Sequence, residues 1–195
     1  MSVNIETIDF RAEEGDVLAT RERARTLARV VADRVGDDAH LVLNFCGVDV
    51  ASPAFLDEML VTLHPITMGG DSGRLLAAIG LNEDVRDAFE LVLERRKLLM
   101  TELSDDHVEL LGGPDQLRET IDAAIDLGET FTAPELAERL AIKLPALHQR
   151  LKTLTDSGVL AREIDPDAER GVRHKYRQPL GDDMKDVVKT LQLAP

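Results

Sequence analysis

The chain has 195 residues, 44% of them hydrophobic and only 3% aromatic, which describes a globular protein with cores of Leu, Val, Ile and Ala rather than a disordered segment. A net charge of −14 leaves room for polyanion binding only where basic residues are concentrated locally. No apolar run approaches the roughly 18 residues a membrane helix needs, the start MSVNIETIDF lacks a basic-then-apolar leader, and the single Cys46 rules out an internal disulfide or a cysteine-rich zinc site, so a cytoplasmic protein without a membrane partner is expected.

Residues 3–10 (VNIETIDF) alternate loosely and predict an edge strand, followed by an acidic turn from Glu13 to Asp16. A helix is expected from about Val17 or Thr20 to Val35, with Ala24, Leu27, Ala28 and Val31 inward. Arg21, Arg23, Arg25 and Arg29 lie mostly opposite, where Glu22 and Asp33 make them part of a solvated face. After Gly36-Asp37-Asp38, the run His40 to Phe45 reads as a central strand. Ser52 then caps a helix that begins at Pro53 and buries Phe55, Leu56, Met59, Leu60 and Leu63. Arg74 to Gly80 predicts another strand, Asn82 caps a helix from Glu83 to about Glu94, and His107 to Leu111 gives a last strand. Strands and helices in alternation imply helices packed on a sheet.

Within this half, the segment Leu43 to Leu60 (LNFCGVDVASPAFLDEML) resembles STAS-like domains of unassigned function, whose pattern is an apolar strand, a G-V pair and then S-x-x-F-x-D-E. STAS domains proper act as anti-sigma factor antagonists, and a Ser or Thr at the start of the helix is phosphorylated by a kinase-like ATPase partner. The resemblance therefore implies a partner surface at Ser52, Asp57 and Glu58, the two acids lying at an exposed helix edge. In this chain Pro53 and Ala54 occupy the positions nearest the family's phosphoacceptor, and a plain helix cap is the simpler role for Ser52.

Gly112-Gly113-Pro114 is the expected domain boundary, dividing residues 1–112 from 113–195. A helix from Asp115 to Leu127 should stop at Gly128. Thr132 and Glu135 form a capping box that starts a helix at Ala133. After a turn over Ala141 to Leu144, Pro145 opens a further helix with Leu147, Leu151 and Leu154 inward, and Gly158 ends it. Leu160 to Ile164 and Val172 to Arg177 read as a β-hairpin around a polar loop. The pattern P-x-L-x-x-x-L-x-x-L-x-x-x-G-V-L followed by a charged hairpin is similar to the winged helix-turn-helix domains of MarR and ArsR type regulators. The resemblance departs at Leu144, where such domains usually carry a small polar cap. It implies double-stranded DNA as partner, with Pro145, Ala146, His148, Gln149 and Lys152 contacting bases or phosphates from the helix, and Arg170, Arg173, His174 and Lys175 from the wing. Gln can bond adenine in a bidentate manner, and a helix N-terminus favours phosphate. The helix Asp182 to Leu191 carries Met184, Val187, Val188 and Leu191 on one side, suited to packing on this domain or on a second copy, and a homodimer is expected.

The charge distribution supports that assignment. Residues 1–112 hold 11 basic and 22 acidic residues, residues 113–195 hold 12 and 15, and the stretch Lys143 to Arg177 holds 8 and 5. Lysine appears 6 times against 17 for arginine, and aspartate 21 times against 16 for glutamate. An acidic, Lys-poor surface resembles proteins of salt-loving archaea, and a GC-rich genome also favours arginine. Enzyme signatures are poor. Gly69-Gly70-Asp71-Ser72-Gly73 lacks the Lys-Ser/Thr ending of a P-loop, and Asp105-Asp106-His107 has no second His or Cys at ligand spacing. His64 has no nearby acid or nucleophile, and Cys46 reads as a core residue. The expectation is an α/β fold, a STAS-like α/β layer domain followed by a mainly helical winged domain, forming a non-enzymatic DNA-binding regulator with no cofactor and no metal. The alternative is a partner-switching module that docks on a kinase-like ATPase without nucleic acid.

Overall fold

The computed structural model describes residues 4–36, 39–67, 75–104, 107–164, 174–179 and 182–192, and the architecture is mixed α/β. Strand β1 (Ile5–Asp9) runs into a short helix, α1 (Phe10–Glu14), because the Asp9 carboxylate accepts from Ala12 N at 2.9 Å. The acidic stretch expected as a turn is therefore partly helical. Next come β2 (Val17–Leu18) and helix α2 (Arg21–Arg34), the latter capped by Thr20. Strand β3 (His40–Asn44) is followed by β4 (Val50–Ala51) and helix α3 (Pro53–Thr67), whose first turn is held by Ser52, the Oγ accepting from Phe55 N at 3.1 Å. Strand β5 (Leu76–Ile79), helix α4 (Glu83–Arg96), and strands β6 (Met100–Leu103) and β7 (Val108–Leu111) complete this half.

The main sheet has the order β1-β3-β5-β6-β7, with the first four strands parallel and β7 antiparallel to β6. Strand alternation sends Leu41, Leu43, Leu76, Ala78 and Met100 into one core with the inward faces of α2, α3 and α4. Phe10, Phe45, Phe55 and Phe89 join that core in one aromatic chain. The Phe10 and Phe45 rings stack at 4.4 Å, and Phe55 and Phe89 meet them edge-on.

The opposite side of the sheet, Val42, Ala77, Ile79, Leu103, Val108 and Leu110, is buried as well, and its cover comes from the second half of the chain. Both faces being dry accounts for β3 and β5 reading as uninterrupted apolar runs instead of alternating ones.

That cover begins at a turn in which Gly112 (φ 74) is pinned. A Cβ there would lie 2.7 Å from the Leu98 carbonyl oxygen, and the Gly112 N–H donates to Glu90 at 2.9 Å. Helix α5 (Asp115–Leu127) follows, then β8 (Thr130–Thr132), α6 (Ala133–Arg139), α7 (Leu144–Asp156), β9 (Ala161–Ile164), β10 (His174–Arg177) and α8 (Asp182–Gln192). Strands β8, β10 and β9 form an antiparallel sheet with β10 in the middle. Leu117, Ile121, Leu136, Leu147, Leu151 and Tyr176 share one cluster with the back of the main sheet. Val188 of α8 is fully buried in that cluster and Leu191 packs against it, so this part of the terminal apolar stripe covers its own chain. The described residues contain no helix long and apolar enough to cross a membrane.

Candidate nucleic-acid interface

Helix α7 is the element that a nucleic-acid reading depends on, and its faces separate cleanly. Leu147, Leu151 and Leu154 are buried at i, i+4 and i+7, which turns Pro145, Ala146, His148, Gln149 and Lys152 to solvent. All five lie on one exposed surface. The start of the helix differs from expectation by one residue. Lys143 is the cap, Leu144 is the first helical residue and 40% exposed, and Pro145 is the second. The Lys143 side chain makes no capping hydrogen bond, and the first turn holds no acid. Because Pro145 has no N–H and Ala146 N donates to Lys143 O at 3.0 Å, the tip presents mainly the Leu144 amide to an anion.

Two contacts that sequence reasoning missed hold α7 in place. The Arg150 guanidinium donates to Gln116 O at 3.1 Å and to Thr120 Oγ1 at 3.2 Å, locking the helix to α5. Past the helix end, Gly158 (φ 68) turns the chain, and its carbonyl accepts from Leu76 N at 3.1 Å, joining α7 directly to β5 of the main sheet. The available signal was the position of Arg150 between Leu147 and Leu151, at the inner edge of the stripe.

The hairpin is less open than expected. His174 and Lys175 on β10 are half-buried, and Arg170 and Arg173 lie outside the described residues. Lys152 pairs with Asp156, and Arg177 with Glu163. The Glu135 carboxylate accepts from Thr132 Oγ1 and N at 2.7 Å each. Those bonds, and the nearby charge of Lys175, hold it below the usual carboxylate range.

The three residues expected on a partner surface are all engaged within the chain. Ser52 Oγ donates to Ala19 O at 2.8 Å while accepting from Phe55 N. Asp57 is a correction: it is 6% exposed and not at an open helix edge, because α4 swings Arg96 over it with Nε and Nη2 donating at 2.6 and 2.9 Å. These bonds hold its carboxyl below the usual carboxylate range. Glu58 takes the Arg25 guanidinium at 2.8 Å and is shifted the same way.

No family model, curated protein or solved structure matches the chain.

Elsewhere, burial raises the Cys46 thiol above its ordinary value, so it is protonated near neutral pH. No group of three or more His, Cys, Asp or Glu among the described residues is arranged to hold a metal ion. Asp105, Asp106 and the 69–73 glycine loop lie outside the described residues.

Proposed function

We propose that the chain is a DNA-binding transcriptional regulator. In this reading residues 1–112 form a STAS-like α/β domain that receives a signal or a partner protein, and residues 113–195 form a winged helix that binds double-stranded DNA as a homodimer. The observation that carries it is the bare outer face of α7, with His148, Gln149 and Lys152 exposed on a helix that leucines and Arg150 fix from behind. The order of α5, β8, α6, α7, β9 and β10, with β10 central in a three-stranded sheet, suits a module that offers one helix to a groove.

A second reading, a protein-docking module without nucleic acid, is favoured by the pairing of Lys152 with Asp156 and of Arg177 with Glu163, which removes cationic potential from this side. One experiment separates them. The full chain is taken through selection from a randomised duplex pool, and the enriched duplex is titrated by fluorescence anisotropy against wild type, H148A and Q149A. DNA reading predicts an enriched sequence, and a loss of about tenfold in Q149A if Gln149 holds a base. A pool that never enriches, together with recovery of a kinase-like ATPase from nuclease-treated lysate, overturns it in favour of docking.

A further inference from the structure

A cleft of about 760 Å³ opens where the two halves of the chain meet. Its apolar lining is aliphatic, with Leu93, Leu98, Leu99 and Leu117 inside and the exposed Leu91 at the edge, and no aromatic side chain lines it among the described residues. Thr153 and Ser157, from the last turn of α7 and its cap, close one side. Cavities of this size at the seam between structural units are the usual setting for small-molecule sites.

The rim decides the chemistry. Glu90 and Arg118 are committed to the turn: Glu90 accepts from Gly112 N, and Arg118 donates to Leu110 O, Gly113 O and Asp115 while facing Glu90 at 3.6 Å. Glu94 and Lys97 are exposed, three residues apart, and neither forms an ion pair among the described residues. Lys97 also ends α4 in the left-handed region at φ 57, a place where glycine is the usual residue. Lys97 thus lines the leucine-rich cleft as an exposed cation, from a backbone position that does not favour a side chain.

We propose that this cleft binds a small zwitterion with aliphatic side chains, of dipeptide size, its carboxylate on Lys97, its ammonium on Glu94 and its side chains on the leucine floor. Occupancy presses on Thr153 and Ser157, so the ligand acts on the same helix that is assigned to DNA. That consequence rests on the DNA reading above, whereas binding itself does not.

The test is calorimetric titration of the full chain with L-leucyl-L-leucine, with N-acetyl-Leu-Leu, which lacks the ammonium, and with Leu-Leu-amide, which lacks the carboxylate. One-to-one binding at about 0.1–1 mM is expected for the zwitterion, the range a ligand of this size reaches in an open site. Blocking either end should weaken it about fivefold. K97G, which suits the left-handed backbone and so keeps the fold, should bind Leu-Leu no better than wild type binds the amide. L91E, at a position 56% exposed, should abolish binding with an unchanged circular dichroism spectrum. Failure of Leu-Leu to bind up to about 10 mM, equal affinity for all three compounds, or unaltered binding by K97G would overturn the proposal. If no duplex binds with or without Leu-Leu, the regulator reading fails while the calorimetric result stands. If duplex affinity is the same in saturating Leu-Leu, the coupling to α7 fails.

Discussion

Replacing Ile79 with alanine tests whether the back of the main sheet and the second half of the chain form one core. Ile79 is fully buried on β5 and belongs to the cluster that contains Leu136, Leu147 and Tyr176, not to the one beneath α2, α3 and α4. The substitution removes three carbons. At about 0.8 kcal/mol per buried methylene this is about 2.4 kcal/mol, and the cavity left between two rigid layers brings the loss to about 3–4 kcal/mol. With a urea dependence of about 2 kcal/mol per molar, the midpoint should fall by about 1.5–2 M. The chain supplies its own local probe, since it has no tryptophan and a single tyrosine, Tyr176, which stacks on Phe131 at 5.7 Å in the small sheet. Far-ultraviolet circular dichroism follows all helices and the main sheet. In I79A the tyrosine and dichroism midpoints should move together by the same amount. A tyrosine transition that stays at its wild-type midpoint while the dichroism shifts would refute the shared core.

Two further perturbations follow from named contacts. Asn82 Oδ1 accepts from Val85 N at 2.8 Å to start α4, while its Nδ2 donates to Val48 O and Asp49 O at 2.9 and 3.0 Å. N82A should therefore cost about 2–3 kcal/mol in urea unfolding, and N82D, which keeps the cap but aims a carboxylate at two carbonyls, should remain clearly destabilised; full recovery in N82D would mean that only the cap matters. His40 is buried with Nδ1 accepting from Leu75 N at 3.3 Å, and burial, followed by the charge of Arg177, lowers its proton affinity below the ordinary value of 6.5. Burial lowers His64 as well. A depressed histidine leaves the unfolded chain binding more protons, so stability is complete above pH 6.5 and declines as pH falls from 6.5 toward the folded-state values. H40N, whose Oδ1 can still accept from Leu75, should flatten that decline in part, as read from urea midpoints at stepped pH. A slope identical to wild type would remove His40 from the account.

How much of this was legible depended on local punctuation. Helix α5 ran from Asp115 to Leu127 with Gly128 as its stop, and Ser52 and Asn82 capped the helices they were expected to cap. Strand β6 was invisible because α4 ends on Lys97 instead of glycine, and the residues that follow, LLMTEL, include good helix formers. Strand β8 has three residues, too short for a period to register. Asp57 looked exposed because its partner Arg96 stands 39 positions away on another helix, which no periodicity reports. The apolar continuity of His40 to Phe45 did carry the information that both sides of β3 are covered, yet nothing local says that the cover is the second half of the same chain.

Ion pairs within the fold consume part of the positive charge between Lys143 and Arg177. Of the eight basic residues between Lys143 and Arg177, Lys152 and Arg177 have acidic partners inside the stretch, and Arg150 is turned onto α5. If the chain binds DNA as proposed, phosphate neutralisation draws on the other five, Lys143, Arg162, Arg170, Arg173 and Lys175, with about two to four charges per protomer reaching the backbone. Counterion release predicts a slope of log affinity against log salt of about −2 to −4 for one protomer, shallower than a strongly basic DNA-binding module would give. Titration of the selected duplex between about 0.1 and 0.5 M salt measures it directly. A much steeper slope would mean that Lys152 and Arg177 abandon their carboxylates for phosphate on binding. A slope near zero would mean that no helix or hairpin cation meets the backbone at all, and the outer face of α7 would then be left with protein as its partner.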